Sequence, residues 1–144
     1  KSIKKPTMQK SKFEKSILVE VPITAATTGK SFQFPDTPQL VNKFVQGVEV
    51  FTVTQVAKTP TQATTVAAAG ATGIMVNLQV NNDAVIENIP YYTLISSLNG
   101  GLIREFKNIP LNVTKSTILI GDATNIVANT VALICVYYTD KPVI

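Results

Sequence analysis

The chain has 144 residues and a mass of 15.5 kDa, the size of one domain with a substantial core. It has no histidine and one cysteine, which excludes Ser-His-Asp and Cys-His catalysis, imidazole metal sites and the ordinary structural zinc site. Six lysines and one glutamate give the first fifteen residues a charge of +5. Since the whole chain is +4, the remainder carries −1 and is not a basic nucleic-acid-binding body.

Residues 1–16 show no hydrophobic period, so we expect an extended basic arm that precedes a single domain over residues 17–144. Two interpretations of the arm stay open: a solvated tail, or a tether onto a neighbouring subunit, a nucleic acid or an anionic membrane face. Its apolar residues favour a protein neighbour, because a purely electrostatic tail needs no apolar anchor. The candidate contact residues of the arm are Lys1, Lys4, Lys5, Met8, Lys10, Lys12, Phe13 and Lys15.

The first half of the domain predicts three extended segments. Ile17–Ile23 is rich in β-branched residues, and Phe32 and Phe34 alternate with polar residues before two prolines. Phe44–Ala57 has period two along its whole length. Lys58–Gly73 is small and featureless. We expect it to form a loop, in preference to a short helix over Val66–Ala69, and it is a candidate interface loop.

The second half opens with the clearest strand, Ile74–Val80, in which apolar and polar residues alternate. Asn81-Asn82-Asp83 predicts a turn, and Asn99-Gly100-Gly101 predicts a hairpin. The last segment, Thr130–Thr139, is almost continuously apolar and predicts a central strand covered on both faces. A return strand is predicted to start at Ala84–Ile86. Further extended segments are predicted at Tyr91–Ile95, Leu102–Phe106, the alternating residues Ile109, Leu111 and Val113, and Thr117–Ile120.

This pattern gives about eight or nine short strands separated by turn signals, and no segment typical of a helix of about ten residues. Strands with apolar faces must be covered, which predicts an all-β fold, either a sandwich or a closed barrel. Of these we expect an antiparallel β-sandwich of about eight strands. No fixed repeat is visible, which disfavours a propeller or a solenoid.

The motifs predict no cofactor, no metal and no small-molecule substrate. Thr27-Thr28-Gly29-Lys30-Ser31 resembles the end of a phosphate-binding loop but lacks the earlier glycine and precedes prolines, so a turn with a solvated Lys30 is the better interpretation. Cys135 predicts a buried core residue, and Asn112-Val113-Thr114 a chance match to a glycosylation site. The nine acids are scattered singly, so a hydrolase using carboxylates alone needs two of them to converge in a cleft.

A basic arm, about eight short strands rich in Val, Thr and Asn, and a closing apolar strand, VALICVYYT, together resemble the single jelly-roll capsid proteins of icosahedral viruses and bacteriophages. Penton and minor capsid proteins of this family have similar lengths. The resemblance implies a jelly-roll sandwich in the virion, a pentameric or trimeric homo-oligomer, and contacts with other capsid proteins. It also implies an arm that faces the shell interior, toward nucleic acid or an inner membrane, or lies on neighbouring subunits.

Charged residues make up only 15% of the chain, and a polar, weakly repulsive surface suits packing against neighbours. We therefore expect a structural virion protein that is not an enzyme. The alternative is a receptor- or glycan-binding adhesion or tail module, extracellular or at a cell surface, since many extracellular β domains have similar surfaces.

Overall fold

The computed structural model describes residue 13 and residues 15–80, 84–110 and 115–140. The described chain forms an all-β sandwich of two four-stranded antiparallel sheets, as the sequence predicted. Its strands are β1 (Lys15–Ile23), β2 (Ser31–Gln33), β3 (Phe44–Phe51), β4 (Ile74–Val80), β5 (Ala84–Pro90), β6 (Arg104–Ile109), β7 (Thr117–Ile120) and β8 (Thr130–Thr139). Short 3₁₀ helices lie at Pro38–Leu40, Ala68–Gly73, Tyr91–Leu94 and Ser96–Leu98.

The strand pairing follows one rule. The first sheet has the order β1-β8-β3-β6 and the second the order β2-β7-β4-β5. Strands β1, β2, β3 and β4 pair with β8, β7, β6 and β5 respectively. The first four strands and the last four therefore form the two arms of one long antiparallel hairpin. Two further pairings, β3 with β8 and β4 with β7, wrap this hairpin into two sheets.

The core lies between the two sheets and is built by period-two alternation. Alternate residues of each strand point inward, where each fully buried aliphatic side chain contributes roughly 1.5–3 kcal/mol relative to an exposed one. Strand β8 is central and is buried on both faces, because its outward Leu133 and Cys135 are buried as well; both predictions are confirmed. The main inward residues are Val19, Val21, Ile23, Val48, Val50, Ile74, Val76, Leu78, Ile118, Ile120, Ala132, Ile134 and Val136.

Three sequence predictions are confirmed at both ends of the segment: Ile74–Val80, Thr117–Ile120 and Thr130–Thr139. The prediction for Phe44–Ala57 is too long, since β3 ends at Phe51. The chain turns at Thr52, whose backbone N–H and hydroxyl both donate to the Gln55 side-chain oxygen, at 3.0 and 2.6 Å. This local bonding replaces the strand ladder and ends β3.

The extended prediction for Tyr91–Ile95 is wrong, because residues 91–94 form a 3₁₀ helix. The Asn99 side-chain amide donates to the carbonyl oxygens of residues 92, 93 and 95 and holds this turn. Gly100 and Gly101 have positive φ as a turn requires, but a helix precedes them, so the predicted hairpin is also wrong.

The arm was predicted to extend to residue 16, but Lys15 and Ser16 already belong to β1 and pair with Tyr138 and Tyr137. Strand β1 is an edge strand, and a lysine at its start is typical of an edge that avoids pairing with other chains. The predicted alternation at Leu111 and Val113 and the triplet Asn112-Val113-Thr114 lie outside the described residues.

The two ends of the sandwich differ in the number of charged residues that they contain. At one end, here the loop end, the connections 24–30, 52–73, 91–103 and 121–129 are hydrogen-bonded to one another or to adjacent strand ends, and they contain only three charged residues, Lys30, Lys58 and Asp122. At the opposite end, here the arm end, β1 begins and β8 finishes beside the connection 34–43. The described charged residues of the arm end are Lys15, Asp36, Lys43, Lys115 and Asp140.

Within the part of the chain that the structure describes, no helix has the length and apolar character needed to cross a membrane.

Candidate functional site

Of the eight candidate arm residues, the structure places two, Phe13 and Lys15. Both contact the end of β8 in the same chain, Phe13 at Tyr137 and Lys15 at Asp140. The other six, Lys1, Lys4, Lys5, Met8, Lys10 and Lys12, lie outside the described residues. The described site is therefore the root of the arm, where the chain enters the sandwich.

Phe13 packs on the outer face of the first sheet. Its ring lies 4.8 Å from the Tyr137 ring, centroid to centroid, with the planes inclined at 41°. The ring also lies over Gly47, next to a β-bulge in β3, where a Cβ would stand 2.9 Å from Phe13 Cε1 and 3.2 Å from the Arg104 carbonyl oxygen. The absence of a side chain at Gly47 thus leaves room for the Phe13 ring, a position here called the Phe13 seat. Phe13 is therefore packed against its own chain.

Lys15 and Lys43 share the Asp140 carboxylate. Lys15 forms an ion pair with one carboxylate oxygen, and Lys43 Nζ lies 2.7 Å from the other. The hydrogen bonds from Lys15 and then Lys43 lower the pKa of Asp140 to about 2. All three side chains are partly exposed, so solvent screens this cluster and it contributes little to stability.

A buried carboxylate lies next to the Phe13 seat. Glu49 is only 6% exposed although it points to the outer face of β3, between the inward Val48 and Val50. It accepts a hydrogen bond from the Ser96 hydroxyl at 2.9 Å and another from the Tyr137 hydroxyl. Two hydroxyl donors satisfy a carboxylate that would be costly to bury alone.

The neighbouring titratable groups are held in their neutral forms. Burial, followed by the hydrogen bond to Glu49, raises the pKa of Tyr137. Burial raises the pKa of the Cys135 thiol as well. Neither group is therefore an activated nucleophile at neutral pH. The Ser96 contact instead fastens the connection 91–103 onto the outer face of the first sheet.

The acidic residues do not converge on a metal site, since the described residues hold no group of three or more His, Cys, Asp or Glu side chains placed to bind an ion. The glycine-lysine segment at 29–30 forms a turn, with Gly29 at φ +86° and Lys30 exposed, and β2 follows it in place of a helix. Its interpretation as a turn is confirmed.

The loop end carries an apolar cavity that sequence analysis missed, here the loop-end groove. It encloses about 150 Å³ between the connections 52–73 and 121–129. Thr65 is 1% exposed and lines this groove, and no described residue bonds its Oγ1. The groove is lined by Val53, Thr64, Thr65, Val66, Ala67, Gly70, Asn125, Ile126, Val127 and Thr130.

Lys58–Gly73 was predicted to be a loop in preference to a short helix, but Ala68–Gly73 forms a 3₁₀ helix. The role of this segment as an interface stays a prediction. Thr59, Thr65, Val66, Gly70 and Ala71 are buried, and Val66 and Thr64 bond the backbone of Val131, which extends the sheet beyond the end of β3. The sequence feature that could have indicated the groove is the run of small uncharged residues in this segment. Two of them, Ala67 and Gly70, line the groove.

No protein-family model, curated protein or solved structure matches this chain significantly. The function is therefore argued from the fold and the two ends of the sandwich.

Proposed function

We propose that the chain is a structural virion protein, a capsid or vertex (penton-type) subunit with a single jelly roll. It acts by self-assembly and by contacts with other coat proteins, with no catalytic step. The observation that carries this proposal is the strand order, supported by the charge-poor loop end and by the contacts that Phe13 and Lys15 make with the end of β8.

The strand order supports a jelly roll. In such a fold, eight antiparallel strands form two four-stranded sheets through Greek-key connections. The pairing of β1 to β4 with β8 to β5, wrapped by the contacts β3·β8 and β4·β7, is what a long hairpin gives when it is rolled into a sandwich. Jelly rolls are typical of viral capsid domains, although the fold alone does not define a function.

The loop end supports contact with other protein chains. Five of its described large apolar side chains are exposed: Val53 (38%), Tyr92 (46%), Leu98 (68%), Leu102 (74%) and Val127 (64%). Its connection 91–103 contains no charged residue at all. Cores of protein interfaces are depleted of charge and enriched in aromatic residues, and exposed apolar patches mark interaction surfaces.

The arm supports a second contact, away from the loop end. Phe13 and Lys15 hold its root at the arm end, and five lysines precede Phe13 in the sequence. In a ring of five or three copies these lysines would extend from one side of the ring, toward nucleic acid, an inner membrane or neighbouring coat proteins. The loop ends, which contain few charged residues, would then face each other within the ring.

The mass of the full chain in solution, by sedimentation velocity, tests self-assembly, and electron micrographs of the native particle test its place in a virion. We expect a closed ring of five or three copies. In the full chain, replacing Lys4, Lys5, Lys10 and Lys12 with Gln leaves the melting temperature unchanged and lowers incorporation into the particle. Lys115→Gln is the control, because Lys115 is exposed and lies outside both the loop end and residues 1–16.

Two outcomes contradict the proposal. Incorporation that is unaffected by the four lysine substitutions would remove the role of the arm. A stable monomer that binds a glycan array would favour the adhesion or tail module instead.

A further inference from the structure

The connection 91–103 has a core part and a surface part. Residues 97–102 are all exposed, and residues 96–103 are here called the strap. In the part of the chain that the structure describes, the backbone hydrogen bonds of residues 96–102 join only residues of this same connection. The strap is thus a local turn that lies on the sandwich. The residues that anchor the connection in the core precede the strap: Tyr91, Leu94 and Ile95.

Side-chain hydrogen bonds fasten the beginning of the strap. Ser96 Oγ donates to Glu49 Oε1 at 2.9 Å, and Gln55 Nε2 donates to Ser97 Oγ at 3.2 Å. The bond to Glu49 is the stronger of the two, because its acceptor is a buried carboxylate, whereas the Gln55 bond joins two neutral side chains at the surface. Glu49 is therefore the main polar contact of the strap with β3.

The end of the strap meets the root of the arm. Ile103 and Phe13 both pack over Gly47, where a Cβ would stand 3.2 Å from Ile103 Cγ2 and 2.9 Å from Phe13 Cε1. The Phe13 ring also contacts the Tyr137 ring, and the Tyr137 hydroxyl donates to Glu49. Phe13 thus lies beside one end of the strap and is linked to the other end through Tyr137 and Glu49.

The Phe13 ring restricts the Tyr137 side chain. Tyr137 is only partly buried, and Phe13 packs against its ring on the outer face of the sheet. Without Phe13, the Tyr137 ring would gain rotational freedom, and its hydroxyl would spend less time on Glu49. Because a buried carboxylate short of donors is costly, water would enter and compete with the Ser96 hydroxyl for Glu49. Loss of the Phe13 contact would therefore weaken the bond that fastens Ser96.

From these contacts we propose that the root of the arm controls the strap. While Phe13 is in its seat, the strap is held at both ends, by Ile103 and by Ser96. When Phe13 leaves the seat, the strap opens and the apolar side chains that it carries become mobile. A partner that takes up the arm and withdraws Phe13 therefore also changes the exposed surface of the loop end. The proposal goes beyond the proposed assembly, because all of these contacts lie within one chain.

Amide hydrogen exchange of the full chain, followed by NMR, tests this control. The N–H groups of Asn99 and Gly101 both donate to the Ser96 carbonyl oxygen, at 3.0 and 2.8 Å, so their exchange rates report on opening of the strap. Phe13→Ala should raise both rates by about fivefold, since it removes an aromatic contact. Ser96→Ala, which removes the bond to Glu49 directly, should raise them by about tenfold.

A reference amide shows whether the effect is confined to the strap. The Gln62 N–H donates to the Thr59 carbonyl oxygen at 2.9 Å in a different exposed turn, which Phe13 is not expected to affect. Its exchange rate should be the same in the wild-type and Phe13→Ala chains, because local openings of separate segments are independent. Equal acceleration at Gln62 and in the strap would overturn the proposal.

A double-variant cycle tests the route through the Tyr137 hydroxyl. Tyr137→Phe keeps the ring that Phe13 contacts and removes the hydroxyl bonded to Glu49, so it should raise the strap exchange rates by about fivefold. Adding Phe13→Ala should then raise them by clearly less than a further fivefold, because part of the effect of Phe13 passes through that hydroxyl. Effects that multiply in full would overturn the proposed link.

Val41→Ala is the matched control variant, because Val41 is exposed and apolar but lies in the connection 34–43. It should change none of these rates. All variants are compared at a concentration where sedimentation gives them the same oligomeric state, so the result does not depend on ring formation. Strap amides that exchange at the wild-type rate in the Phe13→Ala chain would overturn the control of the strap while leaving the proposed assembly standing. A wild-type chain that stays monomeric would contradict the assembly alone.

Discussion

The arm end and the loop end are the two ends of the same eight-stranded sandwich, but they differ in which side chains are exposed. At the arm end, Lys15, Lys43 and Asp140 pair with one another and Phe13 packs on Tyr137, while Asp36 and Lys115 are exposed charged residues. At the loop end, Tyr92 and Leu98 are exposed on a connection without charge. The contacts described at the arm end are within the chain, whereas the loop end has exposed apolar side chains.

This difference has a consequence for assembly. Contacts between charged surfaces weaken as salt screens them, whereas contacts between uncharged apolar surfaces do not. An assembly joined at the loop end is thus insensitive to salt, while a contact made by the lysines of the arm is sensitive to it.

The largest effect is expected at the loop end, where two adjacent tyrosines have opposite roles. Tyr91 is fully buried, and its hydroxyl donates to the Phe51 carbonyl oxygen at 3.0 Å, whereas Tyr92 is exposed. Tyr91→Ala should lower the free energy of unfolding by about 3–5 kcal/mol, as for other large buried aromatic residues. Tyr92→Ala, the control, should change it by less than about 0.5 kcal/mol. Urea denaturation measures both, and equal losses would contradict this division.

The next effect concerns the buried carboxylate of Glu49, which is hydrogen-bonded both to the connection 91–103 and to β8. Tyr137→Phe leaves Glu49 with the Ser96 hydroxyl but without the Tyr137 hydroxyl, and should cost roughly 1–3 kcal/mol in the free energy of unfolding. Tyr138→Phe is the control, because Tyr138 packs against the core on the opposite face of β8. A Tyr137→Phe chain as stable as the wild type would show that Glu49 does not depend on this bond.

A smaller effect is expected where the arm is seated. Gly47→Ala places a methyl group against the Phe13 ring and should destabilise the fold by about 1 kcal/mol. Part of this loss should disappear in the Phe13→Ala background, because the ring that opposes the methyl group is then gone. Strictly additive losses in urea denaturation would mean that Phe13 does not occupy this seat.

The smallest effect is a pH dependence at the arm end. The folded pKa of Asp140, about 2, lies below the value of an unpaired carboxyl, so its contribution is complete above about pH 4 and is lost as the pH falls toward 2. Asp140→Asn should therefore be less stable than the wild type at neutral pH and equal to it near pH 2. Thermal melts across this range measure the difference, and a gap that widens in acid would contradict the assignment.

The sequence predicted best those elements whose burial is encoded locally. Ile74–Val80 alternates cleanly and Thr130–Thr139 is continuously apolar, and both strands have the predicted bounds. The sandwich follows from such segments and the turns between them. Tyr91–Leu94 was missed because its 3₁₀ turn depends on the side chain of Asn99, several residues later.

The site residues were harder to predict because their partners are distant in sequence. Phe13 was recognised as an apolar anchor, but its seat requires Gly47 and Tyr137. Glu49 was not singled out from the sequence, because its hydrogen-bond partners are Ser96, 47 residues away, and Tyr137, 88 residues away. The loop-end groove forms only where the connections 52–73 and 121–129 come together in space, and no local sequence pattern predicts that contact.

The most direct test of assembly through the charge-poor loop end is the sedimentation velocity of the full chain from about 0.05 to about 1 M sodium chloride, which shortens the screening length from more than 10 Å to about 3 Å. The account predicts a closed oligomer of five or three copies whose association is unchanged or stronger at high salt. A monomer at all salt concentrations, or an oligomer that dissociates as salt is added, would contradict it.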